Sequence, residues 1–377
     1  MKRELARQVH HEVEHLAQAG LDWFAFAARA GELVRRAVPF ERTCWHPVDP
    51  GTYLFTGSLG HNMVCSGAWL AEHEYVLDDV NKWHELACGA HAASLSETTQ
   101  GELSRSARVR SSIDYGLAVG DELRVAFVVN GTYWGAAGFI RDATSPFFDA
   151  DEVRLFASLS STIGDGFRRA LLVAPSEMTA HPDGPGMLVL DERGRVAWIS
   201  PGTEELIAQI VEDPAAAGPH ESRIVQAVAA RARRLRDAGS AHEPPARTRV
   251  RTRTGHWLQL YGTPLSGERV DHVAVIIQPA GSHDIAPLVA RAYGLTDQER
   301  RITRACLEGL STREIAQALD ITEYTVQDHL KSIFRKTGTR SRGELVGQVF
   351  LEHYVTRFED VGDVAGGWTA QTIPSKP

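Results

Sequence analysis

Residues 295–342 read LTDQERRITRACLEGLSTREIAQALDITEYTVQDHLKSIFRKTGTRSR, and the spacing of polar caps against apolar positions dictates a run of short helices. Thr296–Glu299 (TDQE) is a capping box, in which the Thr296 hydroxyl accepts from the Glu299 amide and the Glu299 carboxylate accepts from the Thr296 amide. The helix it starts stops at Gly309, a residue free to take the left-handed C′ conformation. Ser311–Glu314 (STRE) is a second box, and the helix after it carries Ile315, Ala316 and Leu319 on its apolar side. A turn at Asp320 and Ile321 leads to Thr322, the cap of a third helix over about Glu323–Thr337. Its buried stripe is Val326, Leu330, Ile333 and Phe334, at i, i+4, i+7 and i+8. Gly338 ends that helix, and Ser341–Glu344 (SRGE) caps a fourth carrying Leu345, Val346, Val349 and Phe350.

Two short helices joined by a tight turn, the second with a polar outer face, make a helix-turn-helix. Opposite the core stripe, the third helix presents Gln327, Asp328, Lys331, Ser332 and Arg335. These are donors and acceptors of the kind that read base edges in a major groove. On periodicity alone, a solvated face of a four-helix bundle accounts for the same residues.

A resemblance separates the two readings. Leu295–Thr296, Glu299, Gly309, Ser311, Glu314–Ala316, Leu319, Ile321, Thr325–Val326, His329–Leu330, Lys336–Gly338 and Ser341–Arg342 closely resemble the LuxR-type helix-turn-helix of bacterial transcription regulators, without a gap over about 55 residues. The resemblance implies that the third helix enters the major groove of double-stranded DNA and that the fourth packs in a homodimer. By position it implies base contacts from Gln327, Asp328 and Lys331, and phosphate or positioning contacts from Thr325, Ser332, Arg335 and Lys336. Thr322, Arg340 and Ser341 complete the expected DNA-binding set, and Leu345, Val346, Val349 and Phe350 the expected dimer interface. Many members have Lys where this chain has Gln327, and few have an acid at the place of Asp328. The departure bears on the operator sequence, not on the module.

The chain has 377 residues, enough for two or three domains, with 43% hydrophobic and 23% charged residues. That composition excludes a mostly disordered, collagen-like or low-complexity chain. No apolar run approaches the 18 residues of a membrane span, and the first 14 residues are too charged for a secretory signal. Cys44, Cys65, Cys88 and Cys306 show no CxxC spacing. These features predict a cytoplasmic protein without membrane contact, disulfide scaffold, metal or cofactor. The net charge of −8 argues against non-specific coating of nucleic acid. Residues 291–350, however, hold ten Lys/Arg against eight Asp/Glu, a small basic island on an acidic protein.

Pro/Gly-rich stretches at 174–186 and 279–287 divide the chain, and the whole is expected to be an α+β multidomain protein. Residues 1–173 are predicted to form one α+β domain, with helices over Lys2–Ala37 and Asp149–Leu172 around strands at Thr52–Phe55, Glu122–Val129 and Thr132–Ile140. Asn130–Gly131 between the last two is a strong hairpin signal. Asp79–Lys82, Arg105–Arg108, Asp121–Arg124 and Trp134–Gly135 resemble the GAF-like sensor region that precedes LuxR-type domains in actinobacterial regulators. After a linker at 174–186, residues 187–279 resemble a PAS fold in strand order and in the turn at Asp191–Val196. A second linker, 280–290, leads to the helix-turn-helix domain at 291–355 and a disordered tail at 356–377.

Other patterns point elsewhere and weigh less. His11–His15 (HEVEH) matches the HExxH pattern of zinc peptidases, but a third ligand is needed and the extended pattern fails at Gln18, which stands where Gly would be. Cys65 or Cys88 of the GAF-like region would serve the rival reading, a redox or small-molecule-processing enzyme. Arg247, Arg249, Arg251 and Arg253 alternate along a strand, and Arg231, Arg233, Arg234 and Arg236 follow one helix; an exposed strand face with Thr248, Val250 and Thr252 inward explains the former better than an anion surface. No phosphate-binding GxGxxG or GK[ST] loop exists. The sequence thus predicts a non-enzymatic, dimeric, sequence-specific DNA-binding regulator, its sensor domains answering to an unidentified small-molecule signal.

Overall fold

The computed structural model describes residues 2–63, 65–112, 118–173, 184–210, 212, 222–238, 243–266 and 271–350. Residues up to Gly294 form one compact unit and those from Leu295 a second.

The first unit opens with α1 (Lys2–Ala17) and α2 (Trp23–Ala37). The single helix expected over Lys2–Ala37 is broken at Gly20, which takes φ 66°, and Asp22 recaps the chain by accepting from the Ala25 amide. Next come β1 (Arg42–Pro47), β2 (Leu59–His61), α3 (Gly67–Ala71) with a π-helical turn at Glu72–Val76, α4 (Trp83–Cys88), β3 (Ala92–Ser94), α5 (Leu95–Thr98) and α6 (Ala107–Ser112). Thr52–Phe55 is not a strand. Asp49 gathers that segment into a turn by accepting from the Gly51 amide through its side chain and from Thr52 and Tyr53 through its carbonyl. Asn130 and Gly131 both have positive φ (49° and 71°), the two-residue turn that joins β4 (Asp121–Val129) to β5 (Thr132–Arg141). The antiparallel sheet runs β2-β1-β5-β4-β3, and α7 (Ala150–Ala170), started by a capping box of Asp149 and Glu152, follows it.

A second antiparallel sheet, ordered β7-β6-β10-β9-β8, comprises β6 (Gly186–Leu190), β7 (Val196–Ile199), β8 (Arg247–Arg251), β9 (Trp257–Leu265) and β10 (His272–Pro279), with α8 (Thr203–Ala208) and α9 (Arg223–Ala238) between β7 and β8. On one face of the first sheet, Trp45, Phe127 and Phe139 share a core with Val9, Phe26, Phe156 and Ile163 of α1, α2 and α7. Its other face carries Tyr75 and Trp83 into a core shared with Ile224 and Val228 of α9 and Leu260 and Val275 of the second sheet. Residues 224–233 of α9 are buried on every side, Arg231 and Arg233 included. A helix enclosed all round is a middle layer rather than a surface element. Gly262 lets β9 approach it, because a Cβ there would lie 2.8 Å from the Val228 carbonyl oxygen.

The linker expected at 280–290 is instead α10 (Ser282–Ala292), which contains Pro287. Ile285, Leu288, Val289 and Ala292 recur at helical spacing and bury in the α1/α2/α7 core, which outweighs the hydrogen bond that Pro287 forgoes. Residues 174–183 of the first expected linker and the whole tail from 356 lie outside the described residues. Thr248, Val250 and Thr252 point inward as expected, yet the neighbouring arginines are braces rather than a free face. Arg249 pairs with Asp49, and Arg251 donates to the carbonyls of Leu171 and Val173.

The second unit comprises α11 (Asp297–Leu307), α12 (Thr312–Leu319), α13 (Glu323–Thr337) and α14 (Arg342–Phe350). Ile302, Cys306, Ile315, Ala316, Val326, Leu330, Ile333 and Leu345 are buried, whereas Phe334, expected among them, is half-buried.

Candidate nucleic-acid interface

Both capping boxes form. The Thr296 amide donates to Glu299 across 2.7 Å, and the Ser311 amide to Glu314 across 2.7 Å. Gly309 and Gly338 take φ 82° and 73° and stop α11 and α13. Asp320, at φ 55°, reverses the chain after α12, and the Ile321 amide donates to the Ala316 carbonyl at 3.0 Å. Thr322 then caps α13 by accepting from the Thr325 amide at 3.1 Å. Local chemistry alone therefore sets the turn of the helix-turn-helix.

With Val326, Leu330 and Ile333 buried, the opposite side of α13 exposes Gln327, Asp328, Lys331 and Arg335. Lys331 Nζ donates to Asp328 Oδ1 at 3.0 Å, and that hydrogen bond pushes the ammonium pKa up. Thr322, Arg340 and Ser341 are also exposed, and the Ser341 hydroxyl accepts from the Glu344 amide as the cap of α14. Thr325, Ser332 and Lys336 of the expected DNA-binding set are half-buried and engaged within the unit. The Thr325 hydroxyl meets that of Thr322 at 2.8 Å, Ser332 hydrogen-bonds Glu299, and Lys336 Nζ donates to Glu299 Oε2 at 2.6 Å. Burial pushes the Glu299 carboxyl up, but the Lys336, Thr296 and Ser332 hydrogen bonds outweigh it and hold the pKa below the usual range.

Tyr324, 71% exposed, lies one turn before Gln327 and Asp328 on the same face and escaped the sequence reading. Counting back i−3 and i−4 from those two residues would have found it. Arg342 also has a definite place, donating to the Leu310 carbonyl and the Thr312 hydroxyl, each at 2.9 Å, so that α14 is tied to the α11–α12 loop.

The expected dimer residues divide. Leu345 is fully buried in its own unit, where α14 packs on α11, and Val346 is half-buried. The side chains of Val349 and Phe350 lie outside the described residues.

In the first unit Cys44 and Cys65 line a small cavity of about 50 Å³ with Trp69, Trp83 and Arg124. Burial pushes the Cys44 thiol up to about 12 and raises that of Cys65, which suppresses the nucleophilic thiolate. Cys88 is exposed. His11 and His15 approach to 3.0 Å on an exposed helix face, and among the described residues no three His, Cys, Asp or Glu side chains cluster as metal ligands. No helix of the described residues is long and apolar enough to cross a membrane.

Residues 295–350 therefore contain a helix-turn-helix with an exposed, hydrogen-bonding second helix. Residues 294–348 match the family model of bacterial regulatory proteins of the luxR family. Over 70 residues the chain is 41% identical to a putative HTH-type transcriptional regulator of Aeromonas salmonicida, covering 19% of this chain and 34% of that protein. It is 44% identical over 57 residues to the monoamine regulon transcriptional regulator of Klebsiella aerogenes, covering 15% and 25%. The chain thus spans about a third or less of these relatives' lengths. Among solved structures, a Vibrio cholerae VqmA–ligand–DNA complex aligns at 17% identity and TM-score 0.21 over 46% of this chain and 84% of its own. SdiA in complex with octanoyl-rac-glycerol aligns at 12% identity and TM-score 0.24 over 93% and 89%. At such TM-scores neither likeness bears on the fold of this chain.

Proposed function

We propose that the chain is a sequence-specific, DNA-binding transcription regulator acting in the cytoplasm as a homodimer, and not an enzyme. The observation that carries this reading is the exposed face of α13, with Tyr324, Gln327, Asp328, Lys331 and Arg335 side by side, in a module that matches the luxR family. In this reading Gln327, Asp328 and Lys331 face base edges. Arg335 and Arg340 meet phosphates, while the N-terminal end of α13, with Thr322, lies against the backbone. Lys336, Ser332 and Thr325 hold the helix in place. Val346, with Val349 and Phe350, supplies the interface that pairs two modules across two half-sites. The two-sheet unit, GAF-like in its first half and PAS-like in its second, receives a small-molecule signal.

Titration of the full chain with promoter and scrambled duplexes at several salt concentrations tests the reading. Tight operator binding with a steep loss of affinity as salt rises is expected, since phosphate contacts release counterions. Equal affinity for both duplexes at every salt concentration would overturn it.

A further inference from the structure

We propose that a cleft in the first unit, walled by β8, the Asp49–Tyr53 turn and α10, binds the phosphate group of a small molecule. The cleft has a volume of about 280 Å³ and is lined by Gly51, Arg247, Arg249, Asp284, Pro287 and Arg291. That is close to the lower end, ~300 Å³, of small-molecule sites.

The wall is fixed in advance. Arg249 grips Asp49, 1% exposed, through Nε at 2.7 Å and Nη2 at 2.6 Å, and its Nη1 donates to the Asp284 carbonyl at 2.6 Å. The same Asp49 carboxylate accepts from the Gly51 amide at 2.8 Å, so one ion pair orders both the turn and the arginine behind it. Arg249 is thereby neutralised.

Arg247 and Arg291 are not. Both are half-buried, and among the described residues neither meets a carboxylate. Arg291 Nη1 donates to the Pro50 carbonyl at 3.4 Å. Arg247 shares the cleft-side face of β8 with Arg249, because Thr248 between them is fully buried. The carboxylate of Asp284 also lines the cleft and accepts from Gln259 Nε2 at 3.3 Å. Three guanidiniums against two carboxylates leave the cleft positive in a chain of net charge −8.

One excess positive charge, carried on two guanidiniums that no carboxylate among the described residues contacts, suits an anion with several acceptors, and a phosphate group offers three oxygens to the two guanidinium forks. A lone carboxylate offers the two forks only two acceptor oxygens. The recess and the half-burial favour a small molecule over the convex backbone of a duplex.

The test is calorimetric titration of the full chain with inorganic phosphate at constant ionic strength, on the parent protein, Arg247→Gln, Arg291→Gln and the double variant. Circular dichroism verifies that each variant is folded. Saturable binding by the parent that weakens at least tenfold in the double variant is expected. No saturable binding would overturn the proposal, and so would equal binding by the double variant, since phosphate would then sit elsewhere. Loss of affinity for random duplex DNA in the phosphate-free double variant would also overturn it, by showing that the cleft touches nucleic acid. The cleft belongs to the first unit, so failure of the DNA-binding reading leaves it standing.

Discussion

Lys336, near the end of the helix that faces outward, donates across 2.6 Å to Glu299, the carboxylate that closes the capping box of α11. One buried acid therefore serves the start of α11 and the position of α13 together. Lys336→Ala should destabilise the C-terminal unit by about 1–3 kcal/mol, the usual cost of leaving a buried charged acceptor short of a donor. Glu299 has a depressed pKa in the folded unit, so its stabilisation is present above the unfolded carboxylate value and lost as pH falls through the folded one. Chemical denaturation of the parent and variant at neutral and acid pH checks both points. A stability difference that stays constant into the acid range would refute the pairing.

Asp328 and Lys331 form an exposed i,i+3 pair at 3.0 Å on the same helix. Lys331→Ala should cost about 1–3 kcal/mol of operator binding if the ammonium reaches a guanine. Asp328→Ala should tighten binding to random DNA by removing repulsion from the phosphates, while shrinking the ratio of operator to random affinity. Paired titrations of operator and scrambled duplex at one salt concentration measure both effects. Equal loss on both duplexes for Asp328→Ala would show that the carboxylate does not face the groove.

Tyr324 adds an aromatic ring to that face without helping the core, being 71% exposed. Tyr324→Ala should leave the melting temperature within experimental error and weaken operator binding by about 1 kcal/mol, a typical cost for a contributing interface aromatic. Unchanged binding would remove Tyr324 from the interface.

Glu212 lies in the first unit and accepts from the Arg223 amide at 2.8 Å and the Ile224 amide at 3.3 Å. Burial pushes its carboxyl up to about 7 against those hydrogen bonds. The unfolded chain releases this proton first, so stability should fall as pH rises from about 4.5 to about 7, by roughly 3 kcal/mol for this group. Glu212→Gln keeps an acceptor for both amides and should flatten that part of the profile. Denaturation midpoints between pH 4.5 and 8 decide the matter, and identical profiles would contradict the assignment.

Leu345 is part of its own unit's core, which leaves Val346 as the described residue of the expected dimer stripe that remains partly accessible. Val346→Asp should shift the full chain toward monomer in sedimentation velocity and lower operator affinity, with the first unit's near-ultraviolet dichroism unchanged. A variant that stays dimeric would place the interface elsewhere.

Nearly all of the helix-turn-helix is legible in the linear chain, because its instructions act over three or four residues. Thr296 finds Glu299, Ser311 finds Glu314, Thr322 finds Thr325, and Gly309 and Gly338 relieve left-handed stops. The Asn130–Gly131 hairpin is of the same kind. What the linear chain hides is the partner of each long cationic side chain. Arg124 meets Glu74 fifty residues away, Arg249 meets Asp49 two hundred away, and Lys336 meets Glu299 thirty-seven away. An arginine on a strand or helix has the same local pattern whether it faces solvent, a carbonyl or a carboxylate. For the same reason α9 carries an arginine-rich pattern like that of a surface helix, although both of its flanks are covered by other layers. Capping is settled by neighbours in sequence, whereas burial and charge compensation are settled by neighbours in space, and only the folded arrangement brings those together.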